Sequence, residues 1–320
     1  MKKWFRFSVL VGVFVLAFSL VGCGKKENAG EKTENTADGK TTITLGYLPI
    51  THALAMFEAK ELLEKNADSN VTVELKKFGT WPDLMDALNA GQIDGASVLV
   101  ELAMGAKSQG IDLKAVALGH KDGNVIVVSN NIEKVSDLKG KTFAIPSNQS
   151  SHNILVQDML ERENLSINDL NIVQLAPVEM ASSLASGSID GYCVAEPFGT
   201  QSVINGAGHV LFDSKELWQD SICCALVFHG DFLKNKEAAA KEFVDTYYEA
   251  GKALNIDEAY RIATTYLGQS EEVLKASVEC ISFDDLELKE EDYKVLEEKV
   301  VKYAINENPP TFEDFVYQFK

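Results

Sequence analysis

Apolar and polar positions alternate over residues 41–47 and again over 71–77, which predicts two strands. Between them, residues 53–65 carry the spacing of a helix with one apolar face. Residues 81–90 predict a second helix: Thr80 can cap it, Asp83 follows three residues on, and Gly91 can end it. Short apolar runs at 95–100 and 113–118 predict further strands. The middle repeats the theme, with strand patterns at 142–145, 172–175, 192–194 and 210–212 and helical patterns at 153–163 and 178–186. Beyond residue 233 the character changes. Stretches 234–254, 257–267, 271–280 and 290–304 all predict helices. Strands alternating with helices at this spacing predict an α/β fold of mostly parallel sheets flanked by helices, with a helical C-terminal layer packed on an earlier domain.

An internal echo divides the pattern in two. Leu88-Asn89-Ala90-Gly91-Gln92-Ile93-Asp94-Gly95 matches Leu184-Ala185-Ser186-Gly187-Ser188-Ile189-Asp190-Gly191. Each copy ends a helix, turns on glycine and runs into an apolar strand. Turns of this kind recur in α/β proteins, so chance is a rival explanation. The match of residues and context predicts two similar lobes, with Asp94 and Asp190 as turn residues and Ile93 and Ile189 plugging the helix–sheet interface. Two such lobes leave a cleft between them, and the carboxyl ends of the strands are where a ligand would sit.

The N-terminus follows another pattern. Lys2 and Lys3 precede an apolar run that ends at Leu20-Val21-Gly22-Cys23. A basic start, an apolar core and small residues before the break describe an export signal. Cysteine at the break makes it a lipoprotein signal, with cleavage before Cys23 and an acyl anchor on its thiol. The alternative is an N-terminal membrane helix with an incidental cysteine. From Phe5 the run is about 17 residues, at the short limit for a span of roughly 20. Residues 24–40 hold no aliphatic side chain larger than alanine and read as a disordered tether reaching roughly 20–25 Å. The expected organisation is signal 1–22, tether 23–40, first lobe 41–126 with 225–320, and second lobe 127–224. The folded body would then work on the extracytoplasmic face of the cell membrane.

Composition narrows the partners. The chain has 320 residues, 46% of them hydrophobic, which suits one large or two medium domains. The net charge of -18 becomes more negative once Lys2, Lys3 and Arg6 leave with the signal. Such a surface repels nucleic acid, and a cleft within it can still take an anion. Cys193, Cys223, Cys224 and Cys280 show no CxxC spacing. They read as buried thiols rather than as a zinc motif or a disulfide framework, although one disulfide is permitted outside the cytoplasm. No metal and no cofactor is expected.

Candidate site residues cluster at five predicted strand ends. They are Thr51 and His52 after the first strand, Trp81 at a helix start, Ser97, the run Gln149-Ser150-Ser151-His152, and Glu196 before Pro197. Hydroxyls and amides ahead of a helix, with its free N–H groups, favour a small anion or polar group. The plainer alternative is that Ser150 or Ser151 only caps that helix. His120, Lys121 and Asp122 read as a loop or as a switch between lobes. No HExxH, GxSxG, Walker loop or GxGxxG is present, so the chain reads as a binder rather than an enzyme.

These residues resemble a known family, the solute-binding lipoproteins of ABC importers for nitrate, sulfonates, taurine, bicarbonate and thiamine-type pyrimidines. The resemblance is carried by Gly46-Tyr47-Leu48-Pro49, Trp81, Asp137-Leu138-Lys139-Gly140-Lys141, Ser151-His152-Asn153, Gly187-Ser188-Ile189-Asp190-Gly191, Cys193-Val194-Ala195-Glu196-Pro197 and Leu217-Trp218-Gln219-Asp220. The ordered set from His152 to Asp220 is most similar to the nitrate and bicarbonate branch. The resemblance implies a type II periplasmic-binding-protein fold, a monomer that captures a small solute between its lobes, and delivery to permease subunits. It implies lobe crossings near residues 125–129 and 224–228, and ligand-contacting roles for Trp81 and His152. Where the nitrate type carries a lysine, this sequence has Ser221-Ile222-Cys223-Cys224. That departure sets beside the small anion an equal alternative, a neutral or larger ligand such as a heterocycle stacked on Trp81, with polarity from Thr51, Ser97, Asn124, Gln149 and Glu196. Alternatives are an enzyme on the same scaffold, like a pyrimidine-precursor synthase, or a sensory module that presents its ligand to a membrane receptor.

Overall fold

The computed structural model describes residues 39–319. The predicted signal, the tether to residue 38 and the lipidation site Cys23 lie outside the described residues. The chain first lays down β1 (Thr41–Tyr47), α1 (Leu54–Lys65), β2 (Val71–Lys77), α2 (Trp81–Asn89), β3 (Gly95–Leu99), α3 (Val100–Ser108) and β4 (Leu113–Leu118). A two-residue strand, β5 (Lys121–Asp122), leads into β6 (Asn124–Ser129). Then come β7 (Thr142–Ile145), α4 (Ser151–Glu161), β8 (Asn171–Gln174), α5 (Pro177–Ala185), β9 (Gly191–Ala195), α6 (Phe198–Ile204), β10 (Gly208–Asp213) and α7 (Ser214–Leu217). Next, β11 (Cys224–His229) is followed by α8 (Gly230–Ala253), α9 (Ile256–Tyr266), α10 (Glu271–Ser277), β12 (Ile281–Ser282), α11 (Glu290–Lys302) and α12 (Phe312–Phe315).

Two five-stranded sheets result, β2-β1-β3-β11-β4 and β10-β6-β9-β7-β8. Written from its other edge, the second has the same plan as the first. In each, a central strand has parallel neighbours on both sides: β1 lies between β2 and β3, and β7 between β8 and β9. In each, an antiparallel strand then follows, β11 beside β3 and β6 beside β9. The chain changes sheets through residues 119–123 and again through 214–223. The stretches expected to cross, 125–129 and 224–228, are instead the strands β6 and β11 that follow each crossing.

The repeated turn explains the shared plan. Gly91 and Gly187 take φ of 64° and 72°, a left-handed turn that favours glycine. Asp94 accepts the Thr44 N–H at 2.7 Å, and Asp190 accepts the Thr142 N–H at 3.0 Å. The two carbonyls in turn accept His229 N–H and Ser129 N–H, each at 2.9 Å. Each aspartate therefore braces three strands of its own sheet, and each isoleucine beside it, Ile93 and Ile189, is buried.

One large apolar core runs from the first sheet under α8, α9 and α11 and onto one face of the second sheet. The other face of the second sheet has its own core, with Ile126, Phe143, Ile145, Leu155 and Met159. Lys299 and Lys302 of α11 pair with Asp158 and Glu161 of α4 at 2.7 and 2.6 Å, so the C-terminal layer touches both halves. Among the described residues no helix is long and apolar enough to cross a membrane.

Candidate ligand site at the seam between the sheets

The crossings bring distant stretches of chain together at the ends of the strands. His52 follows β1, His120 follows β4, and Cys223 and Cys224 stand where β11 begins. All four are fully buried, and one donor atom from each lies within 4.8 Å of the others. The rings of His52 and His120 stack with centroids 3.4 Å apart. His52 Nε2 donates to the Gly123 carbonyl at 3.3 Å, which leaves the Nδ1 lone pair facing Cys224 Sγ at 3.4 Å. His120 Nε2 accepts the Cys224 N–H at 3.3 Å. Gly119 makes the approach possible, since a Cβ there would lie 3.1 Å from both the Cys224 and the His52 backbone oxygens. The segment expected to be a loop or switch is tied down. Asp122 accepts both Ser221 N–H and Ser221 Oγ–H at 3.1 Å, stitching one crossing to the other, and β5 pairs with β12.

The second half supplies Asn124, Ser151 and His152 to the same region, all at most 1% exposed. Burial draws the His52 ring down to about 4, with His120 adding to the effect, and burial also lowers His152; both rings are neutral at pH 7. Burial pushes the Glu101 carboxyl, at the start of α3, well above its usual range, and Cys223 nearby adds to it. Burial raises Cys224 as well. Cys223 is the thiol of the pair that gives up its proton more readily, because Cys224 and the histidines around it outweigh its own desolvation.

Several of these groups have no hydrogen-bond partner: both oxygens of Glu101, Nδ1 of His120, Nδ2 of Asn124, Oγ of Ser151 and both ring nitrogens of His152. Trp81 Nε1 is likewise buried and unpartnered. Each such group costs about 1–3 kcal/mol in a folded protein. Their concentration where two halves meet marks a place shaped for something polar. A pocket of about 230 Å³ also opens between Leu48, Pro49, Phe78 and Gly79 of the first half and Pro177, Val178 and Phe198 of the second.

The residues expected at the site divide into two groups. His52, Asn124, Ser151 and His152 come together in the seam. Ser97 supports them from behind, its Oγ donating to the His52 carbonyl at 3.4 Å. Trp81 opens α2 with Thr80 as its cap, as expected. Thr51 is a structural stitch: its N–H and Oγ–H both donate to the Glu196 carbonyl, at 2.9 and 3.1 Å. The Glu196 carboxylate turns away to Thr200 N–H and Oγ–H at 3.0 and 2.9 Å, with Ser277 at 3.4 Å. Burial lifts Glu196 to about 7 despite the bonds from Thr200. Ser150 caps α4, accepting Asn153 N–H at 3.3 Å, so the plainer reading of that serine holds. Gln149 is exposed and lines a surface groove with Lys107 and Asn306. Glu101, His120, Cys223 and Cys224 are not among the expected site residues, although the resemblance puts the missing lysine at Cys224. The adjacent cysteine pair was their one visible sign, and its partners lie about 100 residues or more away along the chain. All four cysteines described are free thiols.

Residues 36–268 match the NMT1-like family. A solved structure of the ligand-binding component of an ABC-type import system from Staphylococcus aureus, with zinc bound, is 36% identical; it aligns with a TM-score of 0.83 over 86% of this chain and 96% of that one. A bicarbonate transport ATP-binding protein of Synechocystis sp. (strain PCC 6803) is 26% identical over 61% of this chain and 33% of its own length. An Escherichia coli protein described as a putative aliphatic sulfonates-binding protein is 28% identical over 55% of this chain and 56% of its own. The chain thus spans about a third to a little over half the length of these two curated relatives.

Proposed function

The chain belongs to the NMT1-like family, and on that premise we propose that it is the extracytoplasmic, lipid-anchored substrate-binding component of an ABC importer. The observation that carries this reading is the seam, where unpartnered polar groups of both halves are buried together. A solute that met Glu101, Asn124, Ser151 and His152 would offset their desolvation and hold the halves closed. The closed form is then what permease subunits would recognise. The two lobes are the sheet-centred halves, the protein acts as a monomer, and Cys23 carries the acyl anchor at the cell membrane. It is a carrier, not a catalyst.

The solute is small, either an anion of the nitrate, sulfonate or bicarbonate kind or a small heterocycle. The chemistry of the seam favours the heterocycle. His52 and His152 are held neutral by burial, and the position expected to carry a lysine is Cys224. Neutral donors and acceptors suit a flat polar ring better than a bare anion.

The test is a panel of nitrate, bicarbonate, taurine, aliphatic sulfonates and thiamine-type pyrimidines, followed by thermal shift and intrinsic fluorescence. One class should raise the melting temperature, and Trp81→Ala should weaken its binding by about 1–3 kcal/mol. A melting curve and a scattering profile that ignore every member would overturn the reading. Cys23→Ala should move the protein from the membrane fraction to the medium; an unchanged membrane fraction would remove the anchor.

A further inference from the structure

We infer that the first half carries a binding site for a thiophilic d-block cation, with His52, His120, Cys223 and Cys224 as its donors. The four donor atoms already lie within 4.8 Å of one another in the buried interior. Around tetrahedral zinc, with Zn–S about 2.3 Å and Zn–N about 2.0–2.1 Å, donors sit about 3.3–3.8 Å apart. Gathering this set onto an ion therefore needs side-chain shifts on the order of 1 Å.

The surroundings also fit. A metal-ligating histidine usually donates its second N–H to a carbonyl, which fixes the tautomer and aims the other nitrogen at the ion. His52 has that arrangement, with Nε2–H on Gly123 and Nδ1 toward Cys224 Sγ. His120 Nδ1 is buried without a partner. Two thiols and two imidazoles suit Zn²⁺ or Cu⁺, whereas Mg²⁺ and Ca²⁺ require oxygen ligands. Three of the donors belong to the first half or to the strand it receives from the second crossing, and Cys223 is the last residue of that crossing. That half can therefore take the ion alone, and His152 of the second half, with both nitrogens unpartnered, covers it on closure.

Binding of a divalent ion is balanced by loss of both thiol protons: two S–H bonds break, two metal–sulfur bonds form, and two protons pass to water. No electron is transferred. The purified chain would bind the ion whether or not a permease is present.

The experiment is a titration of the reduced, chelator-stripped protein with Co²⁺ and then Zn²⁺. The expected result is thiolate-to-cobalt charge transfer with tetrahedral d–d bands, saturating at one ion per chain and bleached by Zn²⁺. Release of about two protons per ion should accompany it. Cys223→Ser with Cys224→Ser should weaken binding at least about 100-fold at unchanged circular dichroism. Should that variant fail to fold, zinc-edge absorption of the wild-type protein decides: a shell of two sulfurs and two nitrogens supports the site. A shell of oxygen and nitrogen alone, or cobalt spectra without charge transfer, would overturn it. A normal cobalt site in a protein that ignores every solute would sink the transport reading and leave this one standing. Solute binding by a protein with no cobalt site would do the reverse.

Discussion

The two halves of this protein are built alike and finished differently. Both sheets follow one strand order, and both hang on the same aspartate, which holds a strand N–H at 2.7 Å in one half and 3.0 Å in the other. At the equivalent turns after β1 and β7 the likeness ends. After β1, His52 is bonded to Gly123 and Cys224 and stacked on His120. After β7, the Ser151 hydroxyl and both ring nitrogens of His152 are buried without a partner. At this turn the first half is a bonded cup and the second a cover with unbonded groups, although Glu101 and Nδ1 of His120 in the first half also lack a partner. The scaffold is thus repeated through its turns, while chemistry is varied at the strand ends, where a change costs the sheet little.

The largest effect expected from this comparison is at the glycines that open β3 and β9. A Cβ on Gly95 would meet the Val227 carbonyl at 2.6 Å, whereas on Gly191 it would meet the Val127 carbonyl at 3.1 Å and the Phe143 ring at 2.8 Å. Gly95→Ala should cost about 3 kcal/mol or more and Gly191→Ala about 1–2 kcal/mol, measured by urea denaturation. Equal losses would show that the two turns are packed alike after all.

Next is Glu196, which only the second half carries. Its folded pKa of about 7 lies above the ordinary 4.5, and burial is the main cause. A carboxyl raised in this way favours folding when protonated. Its contribution is complete below about pH 4.5 and is lost as pH rises through 7. The wild type should lose on the order of 2 kcal/mol across that window relative to Glu196→Gln, which should show a flatter profile. Parallel profiles would mean that Glu196 ionises as freely in the folded protein as in the unfolded chain.

The braces come third. Asp94→Ala and Asp190→Ala should each cost about 1–2 kcal/mol by stranding a strand N–H, and the two losses should agree within about 0.5 kcal/mol. A large difference would break the claim that the halves share one device. The smallest effect on the free protein is at the cover. His152→Ala removes a side chain with two unpartnered nitrogens and should change stability by under about 1 kcal/mol, while abolishing solute binding. His52→Ala should cost more, about 2–3 kcal/mol, because it strips bonds and packing from the cup. The reverse order would exchange the roles of the two halves.

Much of the scaffold was legible because its signals are local. Strands 41–47, 71–77, 113–118 and 142–145 fall where alternation or a short apolar run predicts them, and Thr80 caps α2 as its spacing requires. The helix α3 was missed for a physical reason. Residues 95–106 form one apolar run, GASVLVELAMGA, without a turn signal, so nothing in the pattern marks where strand becomes helix. β6 and β11 are buried on both faces and give no alternation, and the resemblance alone puts the crossings there. The site was less legible than the fold. His52, Ser151 and His152 stand at strand ends that periodicity can locate. His120, Cys223 and Cys224 meet only because β11 returns from the second half to lie between β3 and β4, a pairing that no local pattern encodes. Glu101 lies in that unmarked stretch and carries no motif, and only the fold shows that it is buried.

The central claim is that the seam encloses a small guest. Native mass spectrometry of protein purified without dialysis tests it most directly. The account predicts a species heavier than the bare chain by one small solute, released on unfolding and lost in His152→Ala. A single species at the mass of the bare chain, unmoved by any candidate solute added back, would contradict it.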